Sequence, residues 1–283
     1  MTINFDDNIN DVCFQGFVDL VHELTGITIK LDRKTMLVGR LRRRINQLEL
    51  PDYPAYLEYV RANTIEHEFF INQITTNETY FFRTPRVWSY LEEEFLPNWQ
   101  EQHPKKLLNI WSAASSTGEE AHTLGILMQN FKESYPGFDY NIFGSDIDTS
   151  VVKKAEEGLY KGRSVERFRK ARPDWFERYM QGNDQDGFTV LPSIKSRIRF
   201  GTYNLFCQST QKTKFDLVLL RNVLIYFNNS DQEKVVSTIQ RALKPDGVMI
   251  IGESETLNNL NTAYEFIAPT IYRPVSQLNS KAA

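Results

Sequence analysis

The sequence contains little cysteine and little histidine. Cys13 and Cys207 are the two cysteines among 283 residues, and the four histidines do not stand at the spacing of metal ligands. Two cysteines so far apart, in a chain that we expect to occupy a reducing compartment, predict free thiols. The sequence therefore predicts neither a disulfide nor a metal site.

Long apolar runs are also absent. Residues 217–220 and 223–227 are among the longest, and Arg221 and Asn222 separate them, so no segment reaches the ~20 residues that cross a bilayer. The amino-terminal letters MTINFDDNIND are acidic where a secretory signal would be basic and then apolar. We therefore expect a cytoplasmic protein without direct insertion into a membrane.

Positive charge is concentrated in one short segment, although the whole chain has a formal net charge of −3. Between residues 30 and 44, seven basic residues accompany a single acid, Asp32. The basic residues are Lys30, Arg33, Lys34, Arg40, Arg42, Arg43 and Arg44. Such a patch predicts a negatively charged partner, which is nucleic acid, a membrane surface or an acidic helix.

Hydrophobic periodicity predicts helices through residues 1–75. Between residues 37 and 48, leucine and isoleucine recur on one helical stripe. Arg43 falls roughly opposite this stripe, with Arg40 and Arg42 to either side, so their guanidinium groups are expected to face outward. We expect a small all-helical domain here.

Strands alternate with helices in the rest of the chain. The strand-like runs are LLNIWS, YNIFGSD, FDLVLL and GVMIIGE. Their order predicts right-handed crossovers and a parallel sheet with helices on both faces, an α/β Rossmann-like domain over residues 87–283. The runs FTVL and SRIRF interrupt the alternation and predict a small antiparallel insertion at about residues 161–201. Residues 76–86 would link the two domains.

Ligands of open parallel sheets bind where the loops converge at the carboxyl ends of the strands. In the first such loop, WSAASSTGEE, Glu119 or Glu120 is placed to meet an ammonium group, although the same letters also form a good helix N-cap. In the second loop, GSDIDTS, Asp146 directly follows the strand and suits the two hydroxyls of a ribose. Asp148 is better placed to cap the next helix.

Two further loops carry polar groups at strand ends. Asn204 and Leu205, in GTYNLF, suit the edge and the face of an adenine. Arg221 and Asn222 directly follow FDLVLL, and they favour a functional role because burying such groups without partners is costly. A glycine-rich phosphate loop is missing, which favours a nucleoside without a pyrophosphate, S-adenosylmethionine, over a dinucleotide.

Five segments occur in a fixed order and spacing between about residues 10 and 273. They are TNETYFFRTP, WSAASSTGEE, GSDID, FDLVLLRNVLIYF and GVMIIGESETL. Together they closely resemble the CheR family of chemotaxis receptor methyltransferases. The resemblance implies a helical domain, then a Rossmann-like cofactor domain with an inserted β-subdomain. It also implies methyl transfer from S-adenosylmethionine to glutamate side chains of a chemoreceptor, with S-adenosylhomocysteine as the product.

The resemblance, carried over position by position, implies which residues form the site. The cofactor residues would be Asn77, Thr79, Arg83, Glu119, Asp146, Asn204, Leu205, Arg221 and Asn222. Arg83 and Tyr226 would be the catalytic residues, beside the transferred methyl. The residues that bind the acidic methylation helices of the receptor would be Arg40, Arg42, Arg43 and Arg44.

The chain departs from the family pattern at a few positions. Ala114 and Ser115 replace the glycine and cysteine common in the first loop, and Ala121-His122 replaces the usual Pro-Tyr. These changes are small enough to keep cofactor binding. Glu253 stands where a histidine is common, and the sequence gives no interpretation of it. The hairpin MQGNDQDGF is shorter than the Gly-rich loop of members that bind a receptor's C-terminal pentapeptide, which argues against that tether.

The implied reaction needs no general base, because a glutamate with a pKa near ~4.3 is already ionised at neutral pH. We expect Arg83 and Tyr226 to position the reacting groups, and a monomer would suffice. One alternative is a nucleic-acid methyltransferase, which the pI of about 5.9 and the single short basic patch disfavour. Another is a non-catalytic protein that senses the cofactor or binds a receptor array, which the presence of Arg83 and Tyr226 disfavours.

Overall fold

The computed structural model describes residues 9–207 and 213–275, and its first part is an all-helical domain. The helices of this domain are α1 (Asp11–Thr25), α2 (Lys34–Gln47), α3 (Tyr53–Ala62) and α4 (Thr64–Ile74). Phe17, Leu41 and Phe70 are fully buried among them. The helical domain expected from the periodicity is confirmed.

Local sequence signals set both ends of α1. Asn10 accepts a hydrogen bond of 2.8 Å from the backbone N–H of Cys13, which satisfies a donor that the helix leaves unpaired. Gly26 ends the helix with a left-handed φ of 73°, and a Cβ atom at this position would lie 2.4 Å from the ring of Phe206. Glycine therefore allows the helical domain to approach the second domain closely.

Eight further helices lie in the second part of the described chain. They are α5 (Pro85–Tyr90), α6 (Leu96–Gln102), α7 (Glu119–Ser134), α8 (Thr149–Glu157), α9 (Arg163–Ala171), α10 (Pro173–Tyr179), α11 (Pro192–Lys195) and α12 (Asn229–Ala242). A π turn over Leu91–Phe95 joins the first two. Within residues 9–207 and 213–275, every helix is too short or too polar to cross a membrane.

Nine strands accompany these helices in the described chain. They are β1 (Leu107–Ser112), β2 (Asp139–Asp146), β3 (Met180–Asn183), β4 (Gly187–Val190), β5 (Ile198–Thr202), β6 (Phe215–Leu220), β7 (Leu243–Ile251), β8 (Tyr264–Ala268) and β9 (Ile271–Pro274). Seven form one sheet in the order β5-β2-β1-β6-β7-β9-β8. The first five are parallel, β9 pairs antiparallel with β7, and β8 pairs antiparallel with β9.

Both faces of the sheet are covered, as the α/β expectation requires. Along β6, Leu217 and Leu219 join the apolar cluster that contains Leu124 of α7. Val218 and Leu220 point to the other face, whose cluster contains Val235 and Ile239 of α12. Because alternate side chains of a strand leave on opposite faces, a continuous apolar run fits this doubly covered strand.

The antiparallel insertion is smaller than the sequence predicted. Strands β3 and β4 pair as a two-stranded hairpin, as expected for FTVL. The expectation for SRIRF was wrong, because Ile198–Thr202 pairs in parallel with β2 as the edge strand of the main sheet. Ile198 is buried there, and it packs against Gly125 of α7. The sequence analysis did not predict the last two strands, β8 and β9.

The helical domain contacts the second domain through side chains and backbone. The side chain of Asn204 donates a 2.8 Å hydrogen bond to the carbonyl of Leu24. The backbone N–H of Thr28 donates to the carbonyl of Tyr226, also at 2.8 Å. His22 lies 2.7 Å from the carboxylate of Asp231. These contacts place the loop after α1 beside the carboxyl ends of the strands.

Candidate cofactor and active site

A cavity of about 370 Å³ lies at the carboxyl ends of β1, β2, β5 and β6. The loop between α1 and α2, which contains Thr28, closes it from the helical domain, and residues 74–80 line it between the domains. The volume falls within the range of small-molecule sites, which is about 300–1,000 Å³. The cavity therefore draws its walls from both domains.

Most of the site residues named from the sequence line this cavity. They are Asn77, Thr79, Arg83, Asp146, Asn204, Leu205, Arg221, Asn222 and Tyr226. They are scattered along the sequence, and the parallel sheet brings them together because the loops after its strands emerge on the same edge. The sequence analysis missed the wall contributed by Ile27 and Thr28, since nothing in their residue types signals a ligand.

The structure does not bring Glu119 to the cavity. Its carboxylate accepts hydrogen bonds from Thr117 at 2.6 Å and from Ser164 at 3.2 Å, and burial raises the pKa of this carboxyl. The neighbouring Glu120 lines the cavity instead. Successive side chains of a helix leave about 100° apart, so only one of the two glutamates at the start of α7 can face the ligand.

Glu120 forms a buried ion pair with Arg221. The Nη1 atom of Arg221 lies 2.8 Å from Oε2 of Glu120, and Ser112 donates a hydrogen bond to the other carboxylate oxygen. The Arg221 side chain is 1% exposed and that of Glu120 is 12% exposed. Nη2 of Arg221 also donates to the backbone carbonyl of Arg83 at 2.8 Å. Arg221 thus ties the end of β6 to the interdomain segment.

Asp146 lies at the end of β2 with its carboxylate in the cavity wall. Its oxygens accept hydrogen bonds from the backbone N–H groups of Ser116 at 2.9 Å and Asp148 at 3.1 Å. Burial outweighs these hydrogen bonds and raises the pKa of Asp146 to about 6. Asp148 caps α8, as expected, by accepting from the N–H groups of Ser150 and Val151.

The loop from Asn222 to Tyr226 is organised by a carboxylate that the sequence analysis missed. Asn222 adopts a left-handed φ of 57°, a conformation that asparagine tolerates better than most residues. Glu255, which is 9% exposed, accepts hydrogen bonds from the backbone N–H groups of Gly252 at 2.6 Å and Asn222 at 3.0 Å. A third contact, from Ile225, is 3.4 Å long.

We predict that Glu255→Gln lowers the turnover of this site by about tenfold to hundredfold, because an amide presents a donor to N–H groups that need an acceptor, and small displacements of reacting groups are costly. Initial rates at saturating substrate measure this effect. Glu253→Gln is the matched control. Glu253 makes an exposed ion pair with Arg86 at 3.2 Å, a contact of little energetic value. Equal rates for the two variants would contradict the assignment.

Arg83 and Tyr226 both border the cavity, on different segments. The Nη1 atom of Arg83 donates to the carbonyl of Glu78 at 2.9 Å, and the guanidinium lies 5.8 Å from the centroid of the Tyr80 ring. Tyr226 ends a short 3₁₀ turn, Leu224–Tyr226. The two residues on either side of Arg83, Phe82 and Thr84, have left-handed φ values of 55° and 65°, which is uncommon for such side chains.

The four arginines of α2 have different surroundings. Arg42 and Arg43 are exposed. Arg40 donates to the carbonyls of Ile74 and Thr75, both at 2.8 Å. Arg44 instead makes two hydrogen bonds of 2.7 Å to the carboxylate of Glu66, which is almost fully buried. Because this bidentate ion pair belongs to the interior of the helical domain, it argues against a role of Arg44 in binding a receptor.

Family models match both parts of the chain. Residues 14–75 match the all-alpha domain of CheR methyltransferases, and residues 77–273 match their SAM binding domain. The second match and the cavity at the strand ends define an S-adenosylmethionine-dependent methyltransferase.

Curated relatives agree with this class over nearly the full length. The chain is 32% identical to a chemotaxis protein methyltransferase of Salmonella typhimurium, covering 93% of this chain and 90% of the relative. It is 30% identical to the Escherichia coli protein of the same name, over 93% and 91%, and 28% identical to the one from Borreliella burgdorferi, over 95% and 96%. The chain belongs to the CheR methyltransferase family.

Proposed function

We propose that this protein transfers the methyl group of S-adenosylmethionine to glutamate side chains of a chemoreceptor in the cytoplasm. The products are glutamate 5-O-methyl ester and S-adenosylhomocysteine. The observation that carries the proposal is that Asp146, Arg83 and Tyr226 line the same cavity. The names of the curated relatives, chemotaxis protein methyltransferases, support the receptor as the substrate.

The residues assigned to the cofactor fit its nucleoside at one end and its ammonium group at the other. Asp146 accepts from the ribose hydroxyls, and Asn204 and Leu205 contact the nucleoside. Asn77, Thr79 and Asn222 complete the pocket, with Arg221 fixing its wall. For the ammonium group we assign Glu120 in place of Glu119, because the carboxylate of Glu120 borders the cavity and is 12% exposed.

The cofactor, when bound, supplies an electrophilic methyl on a sulfonium. The residues of the chain then have three tasks, which are to hold the glutamate carboxylate in line with that methyl, to exclude water and to avoid pairing too strongly with the nucleophile. We assign the alignment to Arg83 and Tyr226. A general base is unnecessary, and the position of His122 agrees with this. This histidine lies outside the cavity lining, and burial lowers its pKa to about 4.

The domains have separate tasks in this proposal. We assign residues 1–75 to the receptor-facing domain, residues 76–86 to a linker that contributes to the cofactor site, and residues 87–283 to the methyltransferase domain, whose insertion ends before β5. The exposed arginines Arg42 and Arg43 of α2 face the acidic methylation helices of the receptor. Opposite charge on the two surfaces speeds the encounter and suppresses wrong partners.

A label assay tests the function. The purified protein is incubated with methyl-tritiated S-adenosylmethionine and membranes that carry the chemoreceptors of the same organism. We expect label on the receptor that is released as volatile methanol in mild alkali. Label that stays fixed on nucleic acid would identify a nucleic-acid methyltransferase, and absence of transfer with retained cofactor binding would identify a non-catalytic protein.

The pKa of Asp146 predicts how cofactor binding depends on pH. Below about pH 6 this carboxyl is protonated and offers the ribose a weaker acceptor, so the affinity for S-adenosylhomocysteine should fall as the pH falls through that value. We expect affinity about tenfold lower at pH 5 than at pH 7.5, from the one unit that separates pH 5 from the pKa. Isothermal titration measures it. Asp146→Asn should bind weakly at both pH values, and a wild-type affinity independent of pH would refute the role of Asp146.

A further inference from the structure

Helix α9 carries a second row of exposed positive charge. Arg163, Arg167 and Lys170 stand four and three residues apart, so they lie on one side of this helix. Val165 and Phe168 are buried on the opposite side, in the core of the methyltransferase domain. The row therefore lies on the outer side of the helix.

Helix α9 contains four basic residues and one acid. Glu166 is the single acid within α9, and it is exposed beside the row. Arg169 pairs with Asp184 at 2.9 Å, and Lys161 donates to the carbonyl of Gln185 at 3.0 Å. The surface that α9 presents to a partner is thus predominantly cationic.

The row is connected to the active site through one aromatic ring. The guanidinium of Arg167 lies 4.4 Å from the centroid of the Tyr80 ring, and that of Arg83 lies 5.8 Å from the same centroid. Tyr80 lines the cavity. The start of α9 is also fixed close to the cavity, since Ser164 donates to Glu119 at the start of α7. Arg167 consequently marks the point where the row meets the cavity.

The basic helix α2 contacts the other end of the segment 75–80, which lines the cavity. Arg40 donates to the carbonyls of Ile74 and Thr75, whereas Arg167 stacks on Tyr80. Residues 75–80 have no regular secondary structure, and six residues span at most ~20 Å. That distance corresponds to about 13 residues of α-helix, or nearly two heptads. One acidic helix is therefore long enough to contact both basic helices while it crosses the cavity.

We propose that the row Arg163, Arg167 and Lys170 is a second docking surface for the acidic methylation helix of the receptor. That helix lies across the cavity and contacts α2 on one side and α9 on the other. This inference rests on the proposed function. Contact with α2 alone would hold the substrate helix near the enzyme but leave it free to pivot. Contacts at both ends of residues 75–80 fix its direction and register, and so decide which glutamate enters the cavity.

Charge reversal tests the inference with a soluble cytoplasmic fragment of a chemoreceptor as substrate. The variant is Arg163→Glu with Lys170→Glu, and it leaves Arg167 on Tyr80. We expect KM for the receptor fragment to rise at least about tenfold, with kcat and the affinity for S-adenosylhomocysteine within about twofold of wild type. The rise in KM should shrink in 0.5 M NaCl, because salt screens exposed charges. The matched control is Lys105→Glu with Lys106→Glu, two exposed lysines that directly precede β1, at the end of this strand away from the cavity.

The other outcomes separate this inference from the proposed function. A wild-type protein that methylates the fragment, together with an α9 variant whose KM equals that of the control, would overturn the docking surface alone. So would a variant that keeps its KM for the fragment but no longer binds vesicles of phosphatidylserine, because that would make the row a membrane contact. A wild-type protein that transfers no methyl to the fragment or to receptor-bearing membranes would overturn the proposed function itself.

Discussion

Replacing Arg83 with alanine is expected to lower methyl transfer about hundredfold at saturating cofactor and receptor, while the affinity for S-adenosylhomocysteine changes less than about threefold. The side chain contributes one internal hydrogen bond, to the carbonyl of Glu78, so its loss removes little of the cavity. A strong ion pair with the substrate carboxylate would stabilise the ground state as well as the transition state. The benefit of Arg83 must therefore come from geometry, and its loss should lower kcat.

Tyr226→Phe tests the second positioning residue in the same way. We expect a fall of about tenfold in kcat, since the ring remains while the hydroxyl is lost, and nearly unchanged cofactor affinity. Isothermal titration with S-adenosylhomocysteine and tritium transfer to receptors measure the two quantities. Arg86→Ala, at an exposed ion pair three residues from Arg83, is the control and should retain normal activity. Loss of cofactor binding in both active-site variants would refute the positioning roles.

Removal of Arg221 is expected to have the largest effect on stability. Arg221→Met leaves the carboxylate of Glu120 in the cavity wall without its partner, and breaking a buried ion pair from one side costs about 3–5 kcal/mol. The midpoint of thermal unfolding should fall by at least about 5 °C. The carbonyl of Arg83 loses one donor but keeps the indole N–H of Trp88 at 2.9 Å. The dominant cost is therefore the stranded charge.

A double variant separates that charge from other effects of the substitution. Glu120→Gln combined with Arg221→Met removes both charges, so its thermal midpoint should lie closer to wild type than that of Arg221→Met alone. Its affinity for S-adenosylhomocysteine should nevertheless be lower than that of the wild type, because the carboxylate assigned to the ammonium group is gone. Additive losses of stability in the double variant would contradict the ion-pair explanation.

The sequence predicted the α/β fold and most of the cavity because both depend on local patterns. Asp146 and Asn222 stand at the ends of strand-like runs, and residues at the carboxyl ends of parallel strands must meet at one edge of the sheet. The hairpin over FTVL was predicted because this run interrupts the alternation of strands and helices. Resemblance to the CheR family then supplied the cofactor, which composition and spacing had only indicated. It also supplied the roles of the remaining site residues, Asn77, Thr79, Arg83 and Tyr226.

Other features depend on contacts between residues distant in sequence. Glu119 and Glu120 are adjacent and chemically identical, and the rotation of α7 alone decides which one borders the cavity. The pairing of Arg44 with Glu66 follows from the packing of α2 on α4. The strand Ile198–Thr202, which includes part of SRIRF, belongs to the main sheet because it pairs with β2. Neither the residue types nor their periodicity carries this information.

The origin of the cavity walls makes cofactor binding and domain docking a single equilibrium. The carbonyl of Tyr226 and the side chain of Asn204 both form hydrogen bonds with the helical domain. A bound nucleoside is therefore enclosed only while the two domains are together. By mass action, each gain in ligand affinity adds to the free energy that keeps the domains associated. The helical domain consequently forms part of the cofactor site, through residues such as Thr28.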